Sequence, residues 1–141
     1  MANTRSRNGK AAEMRVMGEM LAAGLDCYAT LVDDQSIDAV LRVPRESGQP
    51  RYFDVQVKSA KAWSGLRGKV AELGNRKNMI LVLYNSTDLS SLWIERRAIQ
   101  TLFHSSGSKW GDIFLKSADV KKLARKYTLK RLMRLVGIME G

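Results

Sequence analysis

A chain of 141 residues is long enough for one domain with a proper core and short for two. Its composition, 45% hydrophobic and 27% charged, is that of a globular domain and excludes a disordered one. The 24 Lys and Arg against 14 Asp and Glu give a formal net charge of +10, which favours a polyanionic partner: DNA, RNA or an anionic membrane surface.

The opening stretch, "MANTRSRNGK", is basic and lacks a following apolar run, so it reads as a basic arm over residues 1–8 rather than a secretory signal. Residues 9–23, "GKAAEMRVMGEMLAA", carry helical periodicity, and Gly24 follows as a C-terminal cap. Strand-like stretches come next at 27–32, 36–43 and 51–59. The segment "PRESGQP" separates the last two and holds both prolines, as a hairpin connection would. "NMILVLY" is a continuous apolar run of the kind found in a strand covered on both faces. "SLWIER" reads as another strand leading into a helix through Phe103, and "DIFLK" as a short strand. Ser117 then caps a basic helical segment over about 117–137. This order of elements predicts a single α/β domain over 1–141 with a mixed central β-sheet flanked by helices.

Several chemistries are excluded early. No apolar stretch approaches the ~20 residues of a spanning helix, which makes a membrane the weakest of the three partners. Cys27 is the only cysteine, so no internal disulfide forms and a reducing, cytoplasmic compartment suits the chain. It reads as a small buried hydrophobe rather than a reactive thiol. His104 is also alone, so neither a His/Cys zinc site nor a Ser-His-Asp triad can be assembled. Hydrolytic chemistry here would rest on carboxylates, amides and lysine with a hard metal ion.

Within "YFDVQVKSAK", Phe53, Val55 and Val57 alternate with Asp54, Gln56 and Lys58, so the polar three share one face of a strand. On a wheel at about 100° per residue, Glu13 falls within an apolar arc with Met17 and Met20, with Met14, Val16 and Leu21 at its flanks. Glu19 lies beyond that arc and is expected in solvent. A carboxylate within a packed stripe is costly unless compensated, and a helix N-terminus or a nearby lysine would do that as well as a functional site. Asp38, in "SIDAVLRV", opens a strand. A hairpin can bring it beside Gln56 and Lys58.

"GKAAE" on a first helix, then "SIDAV", then "DVQVKS", resembles the PD-(D/E)XK nuclease superfamily. Within it, the small size and "GKxAE" opening are similar to archaeal-type Holliday junction resolvases. The Gln-x-Lys pattern is similar to Mrr-type restriction enzymes and to a cyanobacterial group I intron-encoded homing endonuclease. The resemblance implies a restriction-endonuclease-like core and a metal-dependent DNA endonuclease. It implies that Asp38 and Gln56, completed by Glu13, bind Mg²⁺ (or Mn²⁺), and that Lys58 assists the attacking water. Two positions depart from the pattern. Ile37 stands where the motif has proline, and Gln56 where it usually has Glu. The second removes a negative charge, although an amide oxygen still ligates a hard cation. Asp54, on the same face as Gln56, is an accessory candidate.

Candidate DNA contacts are Arg5, Arg7 and Lys10 near the N-terminus, and Lys61, Arg67, Lys69, Arg76 and Lys77 in the glycine-bearing stretch after the motif. Trp63, Trp93 and Trp110 read as core or rim residues. Two cut strands would call for a homodimer or a higher homo-oligomer. Two other readings stand beside the endonuclease: a DNA-binding module on the same fold whose Gln56 marks lost catalysis, and a basic RNA-binding protein.

Overall fold

The computed structural model describes residues 4–31, 37–66, 70–104 and 117–137; the side chains at 4–6, 71, 104, 117 and 118 lie outside that description. Helix α1 (Thr4–Ala22) leads into strands β1 (Asp26–Ala29), β2 (Ala39–Val43) and β3 (Arg51–Ala60). Two short 3-10 turns (Trp63–Gly65 and Ala71–Asn75) precede β4 (Met79–Asn85) and β5 (Ser90–Glu95). Helices α2 (Arg96–His104), α3 (Ser117–Lys126) and α4 (Leu129–Leu135) follow. The five strands lie in chain order β1-β2-β3-β4-β5, with β3 and β4 parallel and every other pair antiparallel. This is the mixed α/β sheet that the sequence predicts.

Strand alternation sorts the core into two layers. Val55 and Val57 of β3, Leu41 of β2 and Val82 of β4 pack against Ala12, Val16 and Met20 of α1 and Leu132 of α4. On the opposite face, Leu81 and Leu83 of β4 and Leu92 and Ile94 of β5 pack against Ile99 and Phe103 of α2 and Leu66 and Leu73 of the 3-10 turns. β4 is buried at every position, as an uninterrupted apolar run requires. The outer edge of β5 is capped where α3 meets α4, by a Trp93 N–H bond to the Tyr127 carbonyl at 2.9 Å.

The ends of α1 differ from the sequence reading in one respect. Residues 4–8, expected as an arm, are the first turns of α1. Its C-terminus is closed as expected: Gly24 adopts φ 85°, Leu25 N–H reaches the Met20 carbonyl at 3.0 Å and Gly24 N–H reaches that of Leu21 at 2.9 Å. That pair of bonds satisfies two orphan carbonyls, and only glycine adopts this backbone without strain.

Other differences follow from side-chain bonds. The buried arc of α1 runs through Ala12, Val16 and Met20, so Glu13, expected within the arc, lies at its edge, and Met14 is 66% exposed and Leu21 57%. Glu19, expected in solvent, flanks the true arc and accepts a bond from Ser91 Oγ at 3.0 Å. The expected helix over 117–137 is two helices, because the Thr128 side chain accepts from Arg131 N–H at 3.1 Å and starts α4 anew. The stretch after β3, expected as a basic loop, is held partly by the 3-10 turns. Gly74 O accepts from Arg96 Nε at 2.9 Å and Gln100 Nε2 at 2.8 Å, and a Cβ on Gly74 would stand 2.6 Å from Gln100 Cγ. Trp93 lies in the core and Trp63 is half-buried. The "DIFLK" strand, Trp110 and the His104 side chain lie outside the described residues.

Candidate active site

The register places Ala39 opposite Val55, so Asp38, one residue earlier, falls beside Gln56 on the same face. Both are buried, each 5% exposed. Gln56 Nε2 donates to Asp38 Oδ2 at 2.9 Å, and the Val57 N–H donates to the same oxygen at 2.7 Å. The backbone fixes the aspartate from its other side, since Asp38 N–H donates to the Val55 carbonyl at 2.8 Å. Thr30, at the end of β1, adds a staple: its Oγ1 donates to the Ile37 carbonyl at 2.6 Å and its N–H to the Asp38 carbonyl at 3.3 Å.

Gln56 is held at its nitrogen, which also reaches the Val57 carbonyl at 3.3 Å. Its Oε1 is buried and without a hydrogen-bond partner. An orphaned buried acceptor costs about 1–3 kcal/mol, and its chemistry is that of a ligand for a hard cation. The Asp38 carboxylate, the Gln56 amide oxygen and the nearby Val57 carbonyl are all oxygen donors, the set that suits Mg²⁺ rather than zinc. The residues present therefore fit a divalent hard metal. No group of three or more His, Cys, Asp and Glu is gathered among the described residues, so the amide is an integral part of any such donor set.

Lys58 follows two residues after Gln56 on the same face, half-buried, opposite Leu83 of β4. It has no hydrogen-bond or ion-pair partner among the described residues. Glu13 comes from α1, which covers the other face of the sheet. It is partly buried and bonded to Lys10 Nζ at 3.0 Å. Asp38 and Gln56 are thus in direct contact, Lys58 shares their face, and Glu13 belongs to a separate layer with its own lysine partner. Asp54, two residues before Gln56, lies 3.9 Å from Arg76 Nη2.

The basic residues are dispersed. Arg7, Lys10, Lys61 and Lys77 are exposed and Arg76 is half-buried. The Arg5 side chain, Arg67 and Lys69 lie outside the described residues. Lys77 lines a cavity of about 530 Å³ with Arg51, Arg96, Arg97 and Leu132, beside the start of β3 and so at the far end of that strand from Lys58. Cys27 sits half-buried against α1, its Sγ 3.7 Å from the Met17 carbonyl. Burial first, and the Asp26 carboxylate second, push its thiol pKa up, so it stays protonated and unreactive.

Sequence reasoning missed Thr30 and the backbone of Val57, which hold Asp38 without titratable chemistry of their own. It did not single out Arg42, Tyr28 or Tyr52, which the register puts on the same face as Asp38 and Gln56. Counting alternate residues from Asp38 along β2, and from Gln56 back along β3, would have put Arg42 and Tyr52 on the site's face.

No protein-family model matches the chain, and no curated protein matches it. Among solved structures, it is similar to "The structure of a bacterial homing endonuclease: I-Ssp6803I", with a TM-score of 0.61 and 22% identity over 94% of this chain and 93% of that one. The two chains share a fold. The mixed five-stranded sheet, with four helices among the described residues, is similar to the fold of that structure.

Proposed function

We propose that this chain is a Mg²⁺-dependent DNA endonuclease of the PD-(D/E)XK type, with Asp38, Gln56 and Lys58 as its reacting face. The observation that carries the reading is the Gln56 side chain, held at its nitrogen by Asp38 with its oxygen buried and unpartnered, on the same strand face as Lys58, which has no partner among the described residues. The fold shared with a homing endonuclease and the net charge of +10 support DNA as the substrate.

Each residue has a role derivable from its setting. Asp38 and Gln56 would hold the cation through oxygen, with Asp38 supplying the negative charge and Gln56 a neutral donor. When bound, Mg²⁺ would acidify water and neutralise charge on the phosphate. Lys58 presents a mobile ammonium on the same face, where it can orient a water and offset charge developing on the phosphate oxygens. The Val57 N–H holds the Asp38 carboxylate and Thr30 holds the backbone at Ile37 and Asp38, so little reorganisation would accompany the reaction. Glu13, on α1 and bonded to Lys10, would complete the site. Cutting both strands of a duplex would take two copies, so a homodimer or higher homo-oligomer is part of the proposal.

A second reading, a DNA-binding module without catalysis, rests on Gln56 in place of a carboxylate. One assay separates them: supercoiled plasmid and a four-way junction incubated with Mg²⁺ or Mn²⁺, with and without chelator. The endonuclease reading expects nicking or linearisation that chelator abolishes, and binding without turnover in Ca²⁺. Cleavage that survives exhaustive chelation contradicts the metal-dependent mechanism, and binding without any cleavage in either metal selects the second reading.

A further inference from the structure

The second helical layer packs on β4 and β5, and the same face of β1–β3 is exposed at its lower part, at Tyr28 and Tyr52, and buried at Asp38 and Gln56. Cross-strand register maps that face row by row. Asp26, Arg42 and Tyr52 form one row across β1, β2 and β3, and Tyr28, Val40 and Asp54 form the next. The row after that holds Asp38 and Gln56, and then comes Lys58. Rows are about 7 Å apart and strands about 4.8 Å. The candidate active site is therefore the upper part of a single surface. Its lower part carries two tyrosines, Tyr28 53% and Tyr52 50% exposed, around a half-buried valine and an arginine.

We propose that β1 and β2 form a reading ribbon that enters the major groove beside the cut, with Arg42 as its sequence-determining residue and Tyr28 and Tyr52 as flanking contacts. The inference rests on the endonuclease reading and deepens it by naming the partner as double-stranded DNA read at base edges. The major groove, about 12 Å wide, admits a two-stranded ribbon, and an arginine there pairs bidentately with guanine O6 and N7. Arg42 is suited to that task. Its Nη1 stands 3.6 Å from Asp26 Oδ2, a tether that is too long for a hydrogen bond and leaves its fork of donors available. Val40, between Arg42 and Asp38 along β2, offers methyl groups of the kind that contact a thymine methyl.

Strand β2 thus bears the metal-binding carboxylate at its head and base-reading groups two and four residues on. Bases would be read about 7–14 Å from the scissile phosphate. A second copy of this chain is the weaker occupant of this face, since seated there it would bar DNA from the Asp38–Gln56 pair on the same strands. A phosphate contact alone would also leave the two tyrosines and Val40 without a role.

The test is selection of bound sequences from a randomised duplex library in Ca²⁺, with wild type, Arg42→Lys and Arg42→Ala, alongside solution mass and thermal melting. The inference expects wild type to enrich a preferred sequence. Both variants should lose preference at one or two adjacent base pairs by about tenfold or more. Arg42→Lys should keep its affinity for unselected duplex, because its charge is unchanged. Should Arg42→Ala melt early, Arg42→Lys carries the comparison alone. A uniform loss of affinity across all sequences, with the salt slope reduced by about one, would make Arg42 a phosphate contact and overturn the inference. So would an unchanged preference, a wild type that enriches nothing, or a change in oligomeric mass. Chelator-sensitive plasmid cleavage by wild type alongside any of those results leaves the endonuclease reading standing while the ribbon falls.

Discussion

Asp38 has a structural duty that its hydrogen bonds show and, in the proposed reading, a separable chemical one. Its Oδ2 accepts from the Val57 N–H and from Gln56 Nε2, both within a buried region. Asp38→Ala removes the acceptor and strands both donors, at about 1–3 kcal/mol for each group left unpaired. A chain of this size loses roughly 2–4 °C of melting temperature per kcal/mol. Asp38→Asn keeps an acceptor oxygen of the same reach but discards the charge. We expect the alanine variant to melt several degrees early and the asparagine variant near wild type, with both losing cleavage by roughly 10² or more. Melting curves beside single-turnover rates check this. An asparagine variant that cuts at wild-type speed would separate Asp38 from the chemistry.

At the scale of elements, the strands were legible because alternation and apolar runs report burial directly, and the Asp38–Gln56 pairing follows once β2 and β3 are antiparallel neighbours. Helix α1 was legible as a helix, but its orientation was not. Counting Met14 and Leu21 as apolar flanks put Glu13 within the arc, about 60° from Val16 at 100° per residue, where the structure has it at the edge. Long methionine and leucine side chains tolerate exposure, so a wheel alone could not rank them. Val16 at 0% exposure and Met14 at 66% make the test. Val16→Ala should destabilise by about 1–3 kcal/mol, towards the low end of core truncations, whereas Met14→Ala should fall within about 0.5 kcal/mol of wild type. Urea denaturation of the two variants decides. Equal effects would contradict the packing of α1. The break between α3 and α4 did have a signal, Thr128 three residues before Arg131, which the basic run around it obscured. The site's supports at Thr30 and the Val57 backbone had none, because only the folded register gives them a partner.

For the molecule as a whole, the proposed chemistry and the long-range attraction to DNA are assigned to different parts of the chain. The site sits on β2 and β3, while the +10 charge is spread over α1, the stretch after β3 and the C-terminal helices. Long-range attraction to DNA should therefore survive the loss of any one cation, since one phosphate contact changes the salt slope by only about one unit. Lys58 is the residue where this division is sharpest, because it faces the Asp38–Gln56 pair with no protein partner of its own among the described residues. The most direct measurement is Lys58→Ala, assayed by gel shift in Ca²⁺ and by single-turnover plasmid cleavage in Mg²⁺ at saturating protein. The account predicts nearly unchanged binding and cleavage lower by roughly 10² or more. A variant that binds much more weakly yet cuts normally once saturated would make Lys58 a docking residue and contradict the assignment of this face as the site of reaction.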